Sequence, residues 1–143
     1  MSAKEYLSQY RNLNTRVNAK CEQLARLREL STKVSAGQGG GAPGYVSDRV
    51  GNIVAKICDA EREINAMIDR LIDLKAEIEH TIAAVPDETL RHLLELRYIN
   101  GKTFEQIAVD MHYSWRHIIR IHGDALSAVR NVIECHIGSV LYL

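Results

Sequence analysis

Apolar side chains recur every seven residues along the middle of this chain, and no other feature restricts its fold as strongly. The recurring positions are Val50, Ile57, Ile64, Leu71, Ile78 and Val85. A second series lies three residues further on, at Ile53, Ala60, Met67 and Leu74. This spacing is typical of an α-helix with one apolar seam. It predicts a helix from residue 48 to about 85, roughly 57 Å long at 1.5 Å per residue. Such a rod needs a partner helix to bury its seam.

A second, weaker helical pattern covers residues 4–35. Its large or apolar positions are Tyr6, Tyr10, Leu13, Val17, Leu24, Leu27 and Val34. A glycine-rich connection at 36–46 separates the two patterns, because five glycines and a proline there disfavour a helix. The glycines are not followed by the Gly-Lys-Ser/Thr of a phosphate-binding loop. Ser47 or Asp48 is expected to cap the long helix.

Charge suggests that these two helices pair with each other. Residues 1–34 carry seven basic and three acidic side chains, whereas residues 48–88 carry five basic and ten acidic ones. Opposite net charges of +4 and −5 on helices joined by a short loop favour antiparallel docking. We therefore expect an antiparallel helical hairpin. Self-association of the long helix into a parallel coiled coil is the alternative, and a dimer of hairpins would combine both.

The long helix is expected to stop at Pro86, since proline lacks the amide hydrogen and restricts the residue before it. The chain is therefore predicted to be all-α, with a hairpin arm at 1–86 and a second domain at 87–143. In the second domain we expect four helices. They are residues 88–99, a helix opened by the T-x-x-Q capping box that starts at Thr103, a helix capped by Ser114, and a helix from about Asp124.

A short helix, a tight turn at 111–113 and a second capped helix together predict a helix-turn-helix. In the helix after Ser114, the residues expected to face the core are Ile118, Ile121 and Ala125. The residues expected to face outward are Trp115, Arg116, Ile119 and Arg120. The segment 111–123 contains two arginines, three histidines and no acidic residue, so this face is cationic in a chain whose net charge is zero.

The segment LLELRYINGKTFEQIAVDMHYSWRHIIRIHGDAL (93–126) resembles region four of bacterial sigma factors, the module that reads the promoter −35 element. The likeness rests on Leu-Arg-Tyr at 96–98, Thr-Phe-Glu-Gln-Ile-Ala at 103–108, Ser114, and Ala-Leu at 125–126. The whole chain is also similar to phage and prophage proteins in which a glycine-interrupted helical arm precedes such a module. The phage transcription regulators of the ArpU and RinA type belong to this group.

The resemblance implies that residues 114–122 form a recognition helix that lies in the major groove. The DNA-binding residues it implies are Ser114, Trp115, Arg116, His117, Ile119 and Arg120. The two arginines have the reach for bidentate contact with guanine. His117 could donate a hydrogen bond to a phosphate, and Trp115 could pack on a sugar or a thymine methyl group. The sequence departs from the sigma pattern at Trp115, Ile119 and Gly123. The arm also lacks the aromatic-rich region with which a full sigma factor melts DNA, so we expect an accessory regulator.

Other functional classes are less compatible with the sequence. No Ser/His/Asp or Cys/His set lies in a recognisable frame, so no enzymatic activity and no cofactor are expected. The histidines at 112, 117 and 122 are spaced by five residues, which does not place two metal ligands on one helix face. Three distant cysteines, the absence of a signal peptide and the absence of an apolar stretch of membrane-spanning length predict a cytoplasmic protein of a bacterial host.

The predicted function is a sequence-specific DNA-binding transcriptional regulator of phage or prophage genes. Its expected partners are double-stranded DNA, a second copy of the chain in a dimer, and bacterial RNA polymerase through the arm. Two alternatives stay open at this level. One is a DNA-packaging protein of the small-terminase kind. The other is a polymerase-interacting protein that does not touch DNA.

Overall fold

The computed structural model describes residues 1–36 and 43–141, and within them the secondary structure is helical throughout, with no strand. The helices are α1 (Ala3–Ala36), α2 (Pro43–Ala83), α3 (Glu88–Leu94), α4 (Phe104–Met111) and α5 (Trp115–Leu141), and α3 passes directly into a π-helical turn at Glu95–Ile99. The predicted all-α class is confirmed.

The start of α2 differs from the prediction. The helix begins at Pro43 instead of residue 48, so neither Ser47 nor Asp48 stands at its first position. Proline is favoured in the first turn of a helix, because its missing amide hydrogen would have no partner there. The predicted range of the glycine-rich connection, 36–46, therefore extends too far at its C-terminal end, because α2 already begins at Pro43. Its central part, 37–42, lies outside the described residues.

The chain forms two compact units, the first made of Met1–Asn12 with Ile72–Leu143 and the second of Leu13–Leu71. The domain boundary expected at residue 86 stays a prediction. In the second unit the buried side chains come from both predicted seams and are Leu13, Val17, Leu24, Ile53 and Ile64. Two ion pairs between α1 and α2 accompany them. Lys20 Nζ lies 3.2 Å from Glu63 Oε1, and Arg28 Nη2 lies 2.7 Å from Glu61 Oε1. Both pairs are solvent-accessible, so the apolar seam dominates the stability of this unit.

The first unit contains an apolar core. Its fully buried large side chains are Leu7, Ile78, Ile82, Val85, Leu93, Leu94, Ile107, Ile118 and Val129. The Tyr6 hydroxyl lies 3.0 Å from Thr81 Oγ1 and donates a hydrogen bond of 3.3 Å to Glu77 Oε1, which ties the first turns of α1 to the end of α2. Asp87 caps α3 by accepting hydrogen bonds from the Thr89 and Leu90 amides, at 2.9 Å and 3.2 Å.

Helix α5 is longer than predicted. Residues 115–141 form one helix, whereas we expected a break before Asp124. Gly123 is disfavoured in a helix interior by about 1 kcal/mol relative to alanine. Ile121, Ala125 and Val129, however, lie on one buried face on either side of it. Burying side chains of this size contributes more than the glycine costs, so the helix continues.

The π-helical turn was also not predicted. It is marked by a hydrogen bond of 3.0 Å from the Asn100 amide to the Glu95 carbonyl, five residues back instead of four. The extra residue in this turn lets Leu96 and Tyr98 both lie in the core together with Leu93 and Leu94. No helix among the described residues is both long enough and apolar enough to cross a membrane.

Candidate nucleic-acid interface

The turn between α4 and α5 is closed by local hydrogen bonds. His112 has left-handed backbone angles, φ 59° and ψ 38°, at the end of α4. Its amide donates to the Val109 carbonyl at 3.3 Å, and the Tyr113 amide donates to the Ala108 carbonyl at 3.0 Å. These are the two hydrogen bonds of a Schellman motif, which ends a helix sharply. The tight turn predicted at 111–113 is confirmed in this geometry.

Both helices that flank this turn are capped as predicted. Thr103 Oγ1 accepts from the Gln106 amide at 3.2 Å while Gln106 Oε1 accepts from the Thr103 amide at 2.9 Å, which completes the capping box of α4. Ser114 Oγ accepts from the His117 amide at 3.2 Å and so caps α5. The start of α5 is therefore fixed at Ser114 by local chemistry.

Helix α5 has one buried face and one exposed face along its first three turns. Ile118 and Ala125 are completely buried and Ile121 nearly so, as the spacing predicted. On the other face, Trp115 is 52% exposed and Ile119 is 37% exposed. Because α5 packs against α3 and α4 through its buried face, this second face is left open to a partner.

Arg116 and Arg120 are both exposed on the open face of α5. The Arg120 guanidinium donates to His117 Nδ1 at 2.8 Å. The His117 ring in turn packs edge-on against Tyr113, with ring centroids 4.6 Å apart. A guanidinium can only donate, so Nδ1 is the acceptor and the ring hydrogen is on Nε2. This leaves His117 a donor directed away from Arg120.

The electrostatics of this face are favourable for an anion. The first turn of α5 contains no acidic side chain, and a helix N-terminus carries a partial positive charge. Asp110, the acidic residue of α4 that is closest to α5 along the chain, forms an ion pair with Lys102. The carboxylate is thus largely neutralised. We name the exposed residues Trp115, Arg116, Ile119 and Arg120, together with the half-buried His117, the outer face of α5.

A cluster under the outer face supports α5 from inside, and the sequence did not reveal it. The Tyr98 hydroxyl and His122 Nε2 share a hydrogen bond of 2.7 Å. Phe104 packs edge-on against the His122 ring, and the Arg97 guanidinium lies 4.2 Å from the Phe104 ring centre. His122 is half-buried. Its contacts join α4, α5 and the π-helical turn.

This cluster predicts a pH-dependent stability. Burial, followed by the positive charges of Arg97 and Lys4, lowers the pKa of His122 from 6.5 to about 4. Between these values the unfolded chain binds a proton that the folded chain does not, so stability is complete above pH 6.5 and is lost as pH falls towards 4. We expect the urea midpoint of the wild type to fall more steeply than that of His122→Gln between pH 7 and 5. Parallel profiles would mean that His122 is solvated in the folded protein.

The remaining candidate groups lie apart from this face. His112 is exposed in the turn. Cys21, Cys58 and Cys135 are exposed thiols on three different helices. Among residues 1–36 and 43–141, no group of three or more His, Cys, Asp or Glu side chains is placed to hold a metal ion. In the apolar stripe at the end of α5, Val129 is buried, Val132 and Ile133 are half-buried, and Ile137 is 55% exposed.

Comparisons of the chain with protein-family models, with curated proteins and with solved structures give no match.

Proposed function

We propose that this protein is a sequence-specific DNA-binding transcriptional regulator of phage or prophage genes, and that α4, its Schellman turn and the first turns of α5 act as a sigma region-four-like helix-turn-helix. The observation that carries the proposal is the outer face of α5. It combines two exposed arginines, an exposed tryptophan and a helix N-terminus whose first turn carries no acidic side chain. Arginine reads guanine edges in the major groove, and apolar side chains contact thymine methyl groups.

The contact between His117 and Arg120 adds to this proposal. A free arginine side chain loses rotamer freedom when it binds, and this loss opposes binding. Arg120 is already held by His117, which itself packs on Tyr113. The guanidinium is therefore partly ordered before DNA arrives, while the Nε2 hydrogen of His117 is available to a phosphate oxygen.

We further propose that α1 and α2 pair as an antiparallel hairpin arm that dimerises the protein or contacts RNA polymerase. The ion pairs Lys20–Glu63 and Arg28–Glu61 support the antiparallel direction. The residue that comes later in α1, Arg28, pairs with the residue that comes earlier in α2, Glu61. In the unit formed by residues 13–71, Leu30, Val54 and Ile68 remain exposed. Two helices alone leave this apolar surface in water, and a second copy would cover it. The exposed thiols suit the reducing cytoplasm of a bacterial host.

A mobility-shift series tests the proposed function. Duplexes from phage late promoters are compared with duplexes from packaging sites and with scrambled controls at one fixed salt concentration, since affinities depend on salt. We expect the promoter duplexes to be preferred. Preference for packaging sites would assign the protein to the small-terminase kind, and no binding to any duplex would leave only the polymerase-interacting role.

The mass of the protein in solution tests the arm independently. We expect a dimer, whose two recognition helices would read half-sites about one helical turn apart. A ring of eight or more chains would contradict regulation and favour packaging.

A further inference from the structure

Gly123 has no structural reason within the described chain to be glycine. It lies in the interior of α5, where glycine is less stable than alanine. Its φ is not positive, so an alanine would adopt the same backbone conformation. A Cβ atom built on Gly123 comes within 4 Å of no atom of the described chain beyond its own helix backbone. Neither backbone strain nor internal packing therefore requires the missing side chain.

The position of Gly123 suggests an external reason. It is exposed, and it follows Arg116 by seven residues, Ile119 by four and Arg120 by three. These spacings place all four residues on one side of the helix. Asp124 is seven residues after His117 and four after Arg120, so it lies at the edge of this side, next to both. Gly123 thus belongs to the open side of α5, at the end of the outer face that is farther from Ser114.

The distance along the helix fits the width of a DNA groove. Seven residues correspond to about 10 Å of helix axis, and the major groove is about 12 Å wide. If the first turns of α5 lie in the groove, Gly123 therefore lies where the helix crosses the sugar–phosphate rim. Glycine is the residue that lets a ligand approach the protein backbone closely.

We infer that Gly123 is the point where α5 touches the sugar–phosphate backbone of duplex DNA, and that its missing side chain allows this approach. The inference rests on the proposed function and adds a position to it. A side chain at 123 would push the sugar–phosphate rim away from α5. The contact is with the backbone, so it affects specific and scrambled duplexes alike.

The test uses the full chain with Gly123→Ala and Gly123→Leu, both helix-favouring substitutions. We expect the melting temperature of Gly123→Ala to rise by a few degrees, while its affinity for both a preferred and a scrambled duplex falls about tenfold, with a larger loss for Gly123→Leu. Gly51→Ala is the matched control, because Gly51 is also exposed in a helix interior and a Cβ there meets no atom within 4 Å. It should raise the melting temperature and leave the affinity unchanged.

Each result separates this inference from the proposed function. If Gly123→Ala binds as tightly as the wild type while removal of Arg116 and Arg120 weakens binding, the close approach is wrong and the proposed function stands. If neither Gly123→Ala nor the removal of Arg116 and Arg120 affects binding, the proposed function itself is wrong. A lower melting temperature for Gly123→Ala would mean that the fold requires glycine at 123, which also overturns the inference.

Discussion

The double variant Arg116→Ala with Arg120→Ala is expected to lose about thirtyfold or more in affinity for its preferred duplex. Each bidentate arginine–guanine contact discriminates by about 1–3 kcal/mol, and about 1.4 kcal/mol corresponds to a factor of ten. Both side chains are exposed, and only Arg120 has a contact to lose, with His117. The free energy of unfolding should therefore stay within about 0.5 kcal/mol of the wild-type value. Fluorescence anisotropy with labelled duplex measures the affinity, and urea denaturation measures the stability.

Two further variants identify the cause of that loss. Arg26→Ala with Arg62→Ala removes the same charge from exposed positions of α1 and α2, and it should bind duplex as the wild type does. Replacing Arg116 and Arg120 by lysine retains the charge but not the fork geometry. We expect this variant to keep its affinity for scrambled duplex and to lose its preference for the selected one. Wild-type affinity in the double-alanine variant would show that α5 is not the recognition helix.

The adjacent isoleucines of α5 are expected to behave in opposite ways. Ile118 is completely buried, so Ile118→Ala should lower the free energy of unfolding by about 2–5 kcal/mol, through lost burial and the cavity left behind. Ile119 is 37% exposed on the outer face. Ile119→Ala should cost less than about 1 kcal/mol but weaken duplex binding, since it removes an apolar contact from the interface.

Urea denaturation and anisotropy on the two variants check this contrast. The pair is a matched control in itself, because the substitution is the same and the positions are neighbours. Equal losses of stability would mean that α5 is rotated about its axis relative to the described packing. An Ile119→Ala variant with unchanged stability and unchanged affinity would remove Ile119 from the proposed interface.

Much of this fold could be predicted because its signals are local. Asp87, Thr103 and Ser114 each accept hydrogen bonds from amides two or three residues later, so the residue types alone indicated where helices begin. The spacing of Ile118, Ile121 and Ala125 indicated the buried face of α5 in the same way. Pro43 was predicted to lie in the non-helical connection, because proline disrupts the interior of a helix. It is instead the first residue of α2, since proline is favoured in the first turn.

The candidate interface was predictable as a set of residues but not as an arrangement. The sequence indicated which side chains share the open side of α5. It did not indicate that His117 holds Arg120, because a contact between residues three apart depends on the rotamers that Tyr113 leaves available. The Tyr98–His122 hydrogen bond joins residues 24 positions apart, and no spacing rule connects them.

The heptad series from Val50 to Val85 determined by itself that this chain builds long helices with an apolar seam, since period and capping are properties of neighbouring residues. The tertiary structure decided the rest. Helix α5 continues past Gly123, because burial of the apolar residues on both sides stabilises the helix by more than the glycine destabilises it. The tertiary structure also inserted a π-helical turn that brings Leu96 and Tyr98 into one core. Both outcomes depend on what the other helices bury, and burial is summed over residues that lie far apart in the chain.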